Sequence, residues 1–347
     1  MSPNLIWKLS SADRTVGRLG GVGVSQLSPT LLLRPLARRE AVLSSRIEGT
    51  ATTLEQLTLF EARAGGPAPP DAVEVFNYHQ ALQHGLDPHR AVPMSLRLIR
   101  ELHRILMHDV PRSDPTPGEF RREQNFIGVP GRPLEARFVP PPVPQMHACL
   151  DDFEKFLHAS NTIPPLIRLA MIHYQFEAIH PFFDGNGRVG RLLLSLLLCE
   201  YQILPTPLLH LSAFFEANRE RYYDALRRVS THNDWEGWFD YFLDAVVAES
   251  QATMDRIHRI NALRDTYHDQ LRSAKQTALT ARAVDEFFVL PITTATAIAK
   301  SLGITYRGAQ KILGRLQRLG MVRLMSKERR RGRLYWAPDV LKAFEKG

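Results

Sequence analysis

Residues 180–191 read His180-Pro181-Phe182-Phe183-Asp184-Gly185-Asn186-Gly187-Arg188-Val189-Gly190-Arg191. One imidazole, one carboxylate, two glycines around an asparagine and two arginines fall within these twelve positions. They are the parts a phosphate-handling site needs. His180 can accept a proton from an attacking hydroxyl. Asp184 offers hard oxygen ligands to a divalent metal. Gly185, Asn186 and Gly187 permit a tight turn whose backbone N–H groups converge on an anion. The apolar run Leu192–Leu198 follows at once, so the turn is expected to open a buried helix. The start of such a helix favours negative charge and has N–H groups to donate to phosphate oxygens. Arg188 and Arg191 are three apart and share a face of its first turn, where two guanidinium forks can grip a polyphosphate.

The stretch resembles the signature of the Fic (filamentation induced by cAMP) family: His-Pro-Phe, any residue, an acid, Gly-Asn-Gly-Arg, two free positions, then Arg. Every fixed position is matched. The resemblance implies an AMP transferase that takes ATP and Mg²⁺. ATP would lie over Asp184, Gly185, Asn186, Gly187, Arg188, Val189, Gly190 and Arg191, with Mg²⁺ on Asp184. His180 would deprotonate a Ser, Thr or Tyr hydroxyl of a target protein, which attacks the α-phosphorus as pyrophosphate leaves. Phe182 is expected to anchor the loop rather than to take part in the chemistry.

Composition is that of an ordinary globular protein, with 44% hydrophobic and 23% charged residues. The 347-residue length predicts two or three domains. Only Cys149 and Cys199 occur, with no CxxC or Cys/His cluster, which predicts a reducing, cytoplasmic setting without disulfides or structural zinc. The opening MSPNLIWKLSSADR lacks the apolar core of a signal peptide, and Leu192–Cys199 is far too short to span a bilayer. The net charge of +8 is unevenly spread: residues 293–347 hold 13 Lys/Arg against 3 Asp/Glu, and the rest hold 31 against 33. A nucleic-acid partner therefore concerns the C-terminal region alone.

The pattern is mainly α. Residues 1–70 form an N-terminal helical region that ends in the break Gly65–Pro70. Helical periodicity covers 71–86, 94–108, 143–159, 164–179, 187–202, 212–229 and 234–273; the resemblance implies a Fic-type core over 71–245, with a linker helix over 246–280. Two short apolar runs, Asn125–Gly128 and Arg137–Pro140, separated by Val129–Ala136, predict a small β-hairpin. In 281–347 a helix over Thr293–Gly303, a turn at Ile304–Tyr306 and a helix over Arg307–Leu319 precede two strands, Met321–Leu324 and Arg333–Trp336. A basic turn joins those strands, and the order resembles a winged helix-turn-helix domain. Its partner is DNA or protein, and dimerisation is left open.

Three further segments gain meaning from the resemblance. Gly118–Pro142 is similar to the family's flap, so a target segment is expected to dock along Asn125–Pro142, with Ile127 and Gly128 against the nucleotide. Leu43–Thr50 reads LSSRIEGT. Pro35 is expected to open the helix that carries it, Gly49 to close it, and Thr52 with Glu55 to cap the next. Ser44, Glu48 and Gly49 resemble the family's inhibitory motif, in which the glutamate pairs with the second arginine, here Arg191, and pulls it off the γ-phosphate. Tyr222 and Tyr223 fall where the family borders the adenine, but Ser230 stands where many relatives carry asparagine. Two other readings stay open: a Fic enzyme that removes AMP or transfers another group, and a nucleotide-sensing transcription regulator.

Overall fold

The computed structural model describes the chain apart from residues 25–28, 64–69, 88, 90–92, 111–115, 129–135, 161, 327–332 and 346–347. The described residues are mainly helical, with one three-stranded antiparallel sheet. They fall into two compact units. The first comprises Met1–Val24, Leu43–Thr50 and Asn77–Gln251; the second comprises Ser25–Val42, Ala51–Phe76 and Ala252–Gly347.

Consecutive helices run α1 (Pro3–Val24), α2 (Pro29–Ile47), α3 (Leu54–Ala62), α4 (Pro70–Gly85), α5 (Leu96–Leu106), α6 (Val143–His158), α7 (Pro165–Ile179) and α8 (Asn186–Glu200). At the centre of the first unit α8 packs against α7 and α5. Nearly every residue of α8 is buried, as expected of a helix that is apolar all round. Its six leucines at 192–194 and 196–198 are each at most 3% exposed, and burying one such side chain contributes roughly 1.5–3 kcal/mol. The loop before α8 therefore stands on rigid ground. Helix α7 opens on Pro164 and Pro165 and closes when His180 turns left-handed (φ 49°, ψ 60°) just before Pro181.

Where one helix was expected over 212–229, α9 (Ser212–Ala217) and α10 (Arg219–His232) meet at Asn218. The Asn218 side-chain amide donates to the Phe214 carbonyl at 2.9 Å, a local bond that competes with helical continuation. Helix α11 (Trp235–Ser273) is one long helix, and α12 (Ala278–Val289) follows it. Pro35 lies inside α2 instead of opening it, and the cap of α3 falls one residue later than expected. Thr53 and Gln56 form the reciprocal box in place of Thr52 and Glu55, because this register buries Leu54, Leu57 and Thr58. Residues 65–69 of the expected break and most of Val129–Ala136 lie outside the described residues, and Pro70 opens α4. On either side of the latter, Ile127 and Phe138 pair as an antiparallel bridge.

In the second unit β1 (Ile292–Thr294), α13 (Ala295–Leu302), α14 (Tyr306–Arg318), β2 (Arg323–Ser326), β3 (Leu334–Trp336) and α15 (Pro338–Glu345) follow α12. The sheet order is β1-β3-β2. Thr293 and Thr294, expected to start a helix, instead belong to β1: the β-branched run suits an extended chain, and Thr294 caps α13 by accepting from the Ala297 N–H. Thr305 caps α14 in the same way through Gly308. The basic turn at 327–332 lies outside the described residues.

Candidate active site

The left-handed turn at the end of α7 aims His180. Its Nδ1 lies 3.3 Å from the Glu177 carbonyl oxygen, which can only accept, so Nδ1 carries the hydrogen and Nε2 keeps its lone pair. Burial pushes the imidazole down to about 4, against an ordinary value of 6.5. The ring is therefore neutral near pH 7, the form a general base requires.

Residues 181–185 then wrap onto the start of α8. Asn186 clasps this loop: its Oδ1 accepts from the Phe182 N–H and its Nδ2 donates to the Phe182 carbonyl, both at 2.8 Å. Gly185 takes φ 78°, which disfavours a side chain, and no side chain caps the first turn of α8. An uncapped helix start on a rigid core is an anion site in waiting. Asp184 is half-exposed, accepts from the Gly185 N–H at 2.6 Å, and lies 3.5 Å from the guanidinium of buried Arg188. Among the described residues no cluster of three or more His, Cys, Asp or Glu could cage a metal. A single exposed carboxylate fits Mg²⁺ nonetheless, because that ion commonly takes one or two protein oxygens and completes its shell with phosphate and water.

Arg191 is 2% exposed and is met by the end of α2. Its Nε donates to the Ser44 hydroxyl and its Nη2 to the Ser44 carbonyl, each at 2.9 Å. The same Nη2 donates to Glu48 Oε1 at 2.6 Å. Burial alone would raise the Glu48 carboxyl, but the Arg191 charge and hydrogen bond hold it below its ordinary value, while Glu48 keeps Arg191 firmly protonated. Gly49 (φ 99°) turns the chain just beyond Glu48. A Cβ on Gly187 would clash with Glu48 Oε1, and one on Gly190 with Glu177 Oε1. The two glycines thus leave room for two carboxyl groups beside Arg191. Burial raises Glu177 to about 7.

At the end of α7, reaching it through Glu177, lies a cavity of about 740 Å³, whose walls include Ile127, Gly128, Phe138, Glu177, Tyr223 and Ser230 but no residue of 180–191. A volume of this size suits a small-molecule ligand. Of the tyrosine pair only Tyr223 lines it. Tyr222 is 1% exposed, stacks on Phe215 and bonds His173 through its hydroxyl at 2.8 Å, so it is a core residue and does not border a base. Asn186 and Val189 are likewise buried and act on the loop and core. Ser230 Oγ is 2.9 Å from the Tyr174 hydroxyl. The fold thus brings together His180, Asp184, Arg188, Arg191, Ser44 and Glu48.

Three residues that the sequence did not single out also shape the site. The His103 ring stacks on Phe182 with centroids 3.8 Å apart, and its Nε2 lies 3.0 Å from the Asp184 carbonyl. Arg219 donates to the Arg46 and Ile47 carbonyls at the end of α2. Arg121 binds backbone carbonyls around His180. All three act on backbone atoms, which leave no sequence pattern.

The chain is similar to proteins of known family. Residues 93–198 match the family described as Fic/DOC, and residues 6–87 match its N-terminal region. The protein adenylyltransferase Fic of Drosophila yakuba is 33% identical over 159 residues, which is 44% of this chain and 30% of that protein. Its Drosophila melanogaster counterpart is 32% identical over the same length. The chain thus spans under a third of the length of these relatives. A Fic family protein from Desulfovibrio desulfuricans superposes over 97% of this chain and 96% of its own, with TM-score 0.62 and 21% identity. Fic-1 from C. elegans superposes over 74% of both chains, with TM-score 0.58 and 24% identity. The two family matches together cover more than half of the chain. The chain belongs to the Fic/DOC family.

Proposed function

We propose that the chain is a protein adenylyltransferase that moves AMP from ATP to a hydroxyl of a target protein. The observation that carries this reading is His180. It is neutral, with its tautomer set by the Glu177 carbonyl, at the mouth of an uncapped helix start. Nε2 takes the proton of the target hydroxyl, and that oxygen attacks the α-phosphorus in line with the departing pyrophosphate. The first-turn N–H groups of α8, with Arg188 and Arg191, stabilise the charge that grows on the phosphoryl oxygens. Asp184 would hold Mg²⁺, which neutralises phosphate charge. The base would enter the cavity beside Tyr223, Ile127 and Gly128. The target would pair along the flap around Ile127 and Phe138. ATP labelled at the α-phosphorus should mark a target protein, whereas ATP labelled at the γ-phosphorus should not. Transfer of the γ label instead would replace this reading with kinase chemistry.

The depressed His180 value predicts a particular pH profile. A base works in its neutral form, so lowering its pKa extends activity toward acid. The kcat/KM for labelling should stay level from pH 8 down to about 5.5. An acid limb centred near the ordinary 6.5 would show that His180 is not held neutral by its surroundings.

Glu48 is proposed to restrain the enzyme through Arg191. In domain terms, residues 1–70 carry this restraint, 71–245 the catalytic core and 246–280 a linker. Cys149 and Cys199, both free thiols, fit a reducing compartment such as the cytoplasm. We assign 281–347 as a winged helix. Two capped helices followed by a small antiparallel sheet support it, and the +10 balance of 293–347 favours DNA as its partner. The full chain should then bind duplex DNA at low salt and lose affinity steeply as salt rises, since each phosphate contact releases counterions. Absence of binding at low salt would turn this domain to protein contacts.

A further inference from the structure

Arg121 precedes the Ile127–Phe138 bridge and is 3% exposed. Its guanidinium makes three bonds, each to a backbone carbonyl. Nε donates to His180 at 3.0 Å, Nη1 to Glu123 at 3.2 Å, and Nη2 to Pro141. Its own N–H donates to the Pro181 carbonyl at 2.9 Å. Nearby, Asn125 Nδ2 donates to the Phe182 carbonyl at 3.0 Å. One cation thus ties together the outgoing arm of the flap at Glu123, the returning arm at Pro141, and the backbone of His180.

The bond to His180 falls where backbone conformation matters most. His180 is a non-glycine residue in the left-handed region, which costs about 1–2 kcal/mol unless its surroundings hold it. Arg121 Nε holds the carbonyl of that same residue, so it helps to set the direction in which the side chain leaves the backbone. A planar fork with several donors can serve three carbonyls at fixed angles, while a lysine ammonium presents one small cluster of donors and cannot span them.

We infer that Arg121 is the positioning residue of this site, joining the target-binding flap to His180 so that a docked target and the general base share one frame. The inference rests on the transferase reading for its rate arm only. Its other arm reads His180 directly. The charge of Arg121 also bears on His180: burial lowers the imidazole most, and Arg121 lowers it further, against the Glu177 carbonyl, Glu48 and Asp184, which raise it. These are the groups that face the ring from α7, from the segment after α2, from the flap and from the loop before α8. Removing the Arg121 charge must therefore move His180 upward, and conserving it must not.

The test compares the full-length wild type with Arg121→Gln and Arg121→Lys. The His180 imidazole is titrated by NMR in each, and nucleotide affinity and α-label transfer are measured on the same samples. Arg121→Gln should raise the His180 pKa by roughly half a unit to one unit, the size expected of a nearby charge in partly screened surroundings. It should slow transfer about 100-fold, the cost of misplacing a reacting group by about 1 Å. ATP affinity should stay within about twofold. Arg121→Lys should leave the His180 pKa in place and still slow transfer, by about tenfold. If both variants shift His180 equally, or if ATP affinity falls in step with rate, Arg121 serves only to hold the fold and the inference is wrong. If His180 titrates in Arg121→Gln as in the wild type, the link between them does not exist. A wild type that transfers no label would defeat the transferase reading, while the titration would still decide the role of Arg121.

Discussion

His180→Ala is expected to reduce AMP transfer by about 10²- to 10⁴-fold, the usual loss when a general base is removed. The fold should survive. His180 caps α7 with left-handed geometry, and its backbone bonds to Phe176 and Arg121 do not need the imidazole. The backbone cost is small, because one residue with a Cβ replaces another in the left-handed region. ATP should bind nearly as well as before, because the phosphates meet α8 and its arginines rather than the ring. The measurement is the rate of α-label transfer beside an independent nucleotide-binding assay. Undiminished transfer would remove His180 from the chemistry. Loss of binding together with transfer would point instead to a collapsed loop, and a His180→Gly variant with native ATP affinity would separate the two cases.

The sequence made the centre of this site legible and its periphery much less so. His180, Asp184, Arg188 and Arg191 act through side chains, at spacings that a helix start and a tight turn impose. Such spacings can be read without coordinates. The Ser44–Glu48 pair was read from its resemblance to the family's inhibitory motif, since a four-residue spacing by itself says only that both share a helix face. Arg121, His103 and Arg219 were not, because each binds main-chain carbonyls remote in sequence. Tyr222 and Tyr223 differ in another way. Two adjacent aromatic residues on one helix point about 100° apart, so a single cavity can take one of them, and the pattern does not say which. In the fold, most helices were clear from periodicity, and most errors fell at boundaries with competing local bonds. Asn218 broke a helix through its own side chain, and β-branched Thr293 and Thr294 went to a strand. Helices α12 and α15 were missed although their buried positions recur at helical spacing, as at Ala283, Val284, Phe287 and Phe288 in α12; they are short segments of 12 and 8 residues, where few turns carry the pattern.

Glu48→Gly is expected to speed transfer by roughly tenfold or more. Glu48 and the γ-phosphate of a productively bound ATP compete for one guanidinium, and Arg191 is too deeply buried to serve both. In the structure the pair is tight, at 2.6 Å, and Glu48 is ionised because Arg191 holds its pKa down. The contact is not wholly shielded, since the Glu48 side chain keeps 34% of its surface exposed. Its bias on the equilibrium is therefore placed at about 1–3 kcal/mol, the ordinary range for coupling between two ligands of one group. Removing the carboxylate leaves Arg191 with the Ser44 hydroxyl and carbonyl, and with only Glu177, raised to about 7, as a partial countercharge. That has two consequences with opposite signs. The nucleotide-free variant should melt at a lower temperature, because a buried cation has lost its partner. Its affinity for ATP should rise, because the γ-phosphate now supplies that partner, and ATP should raise its melting temperature more than that of the wild type. Faster transfer, weaker stability without ATP and greater stabilisation by ATP must appear together. Transfer should vanish again in the double variant with His180→Ala, which shows that the gain runs through the same chemistry. Equal transfer rates in the wild type and a folded Glu48→Gly would mean that the end of α2 meets Arg191 without restraining it.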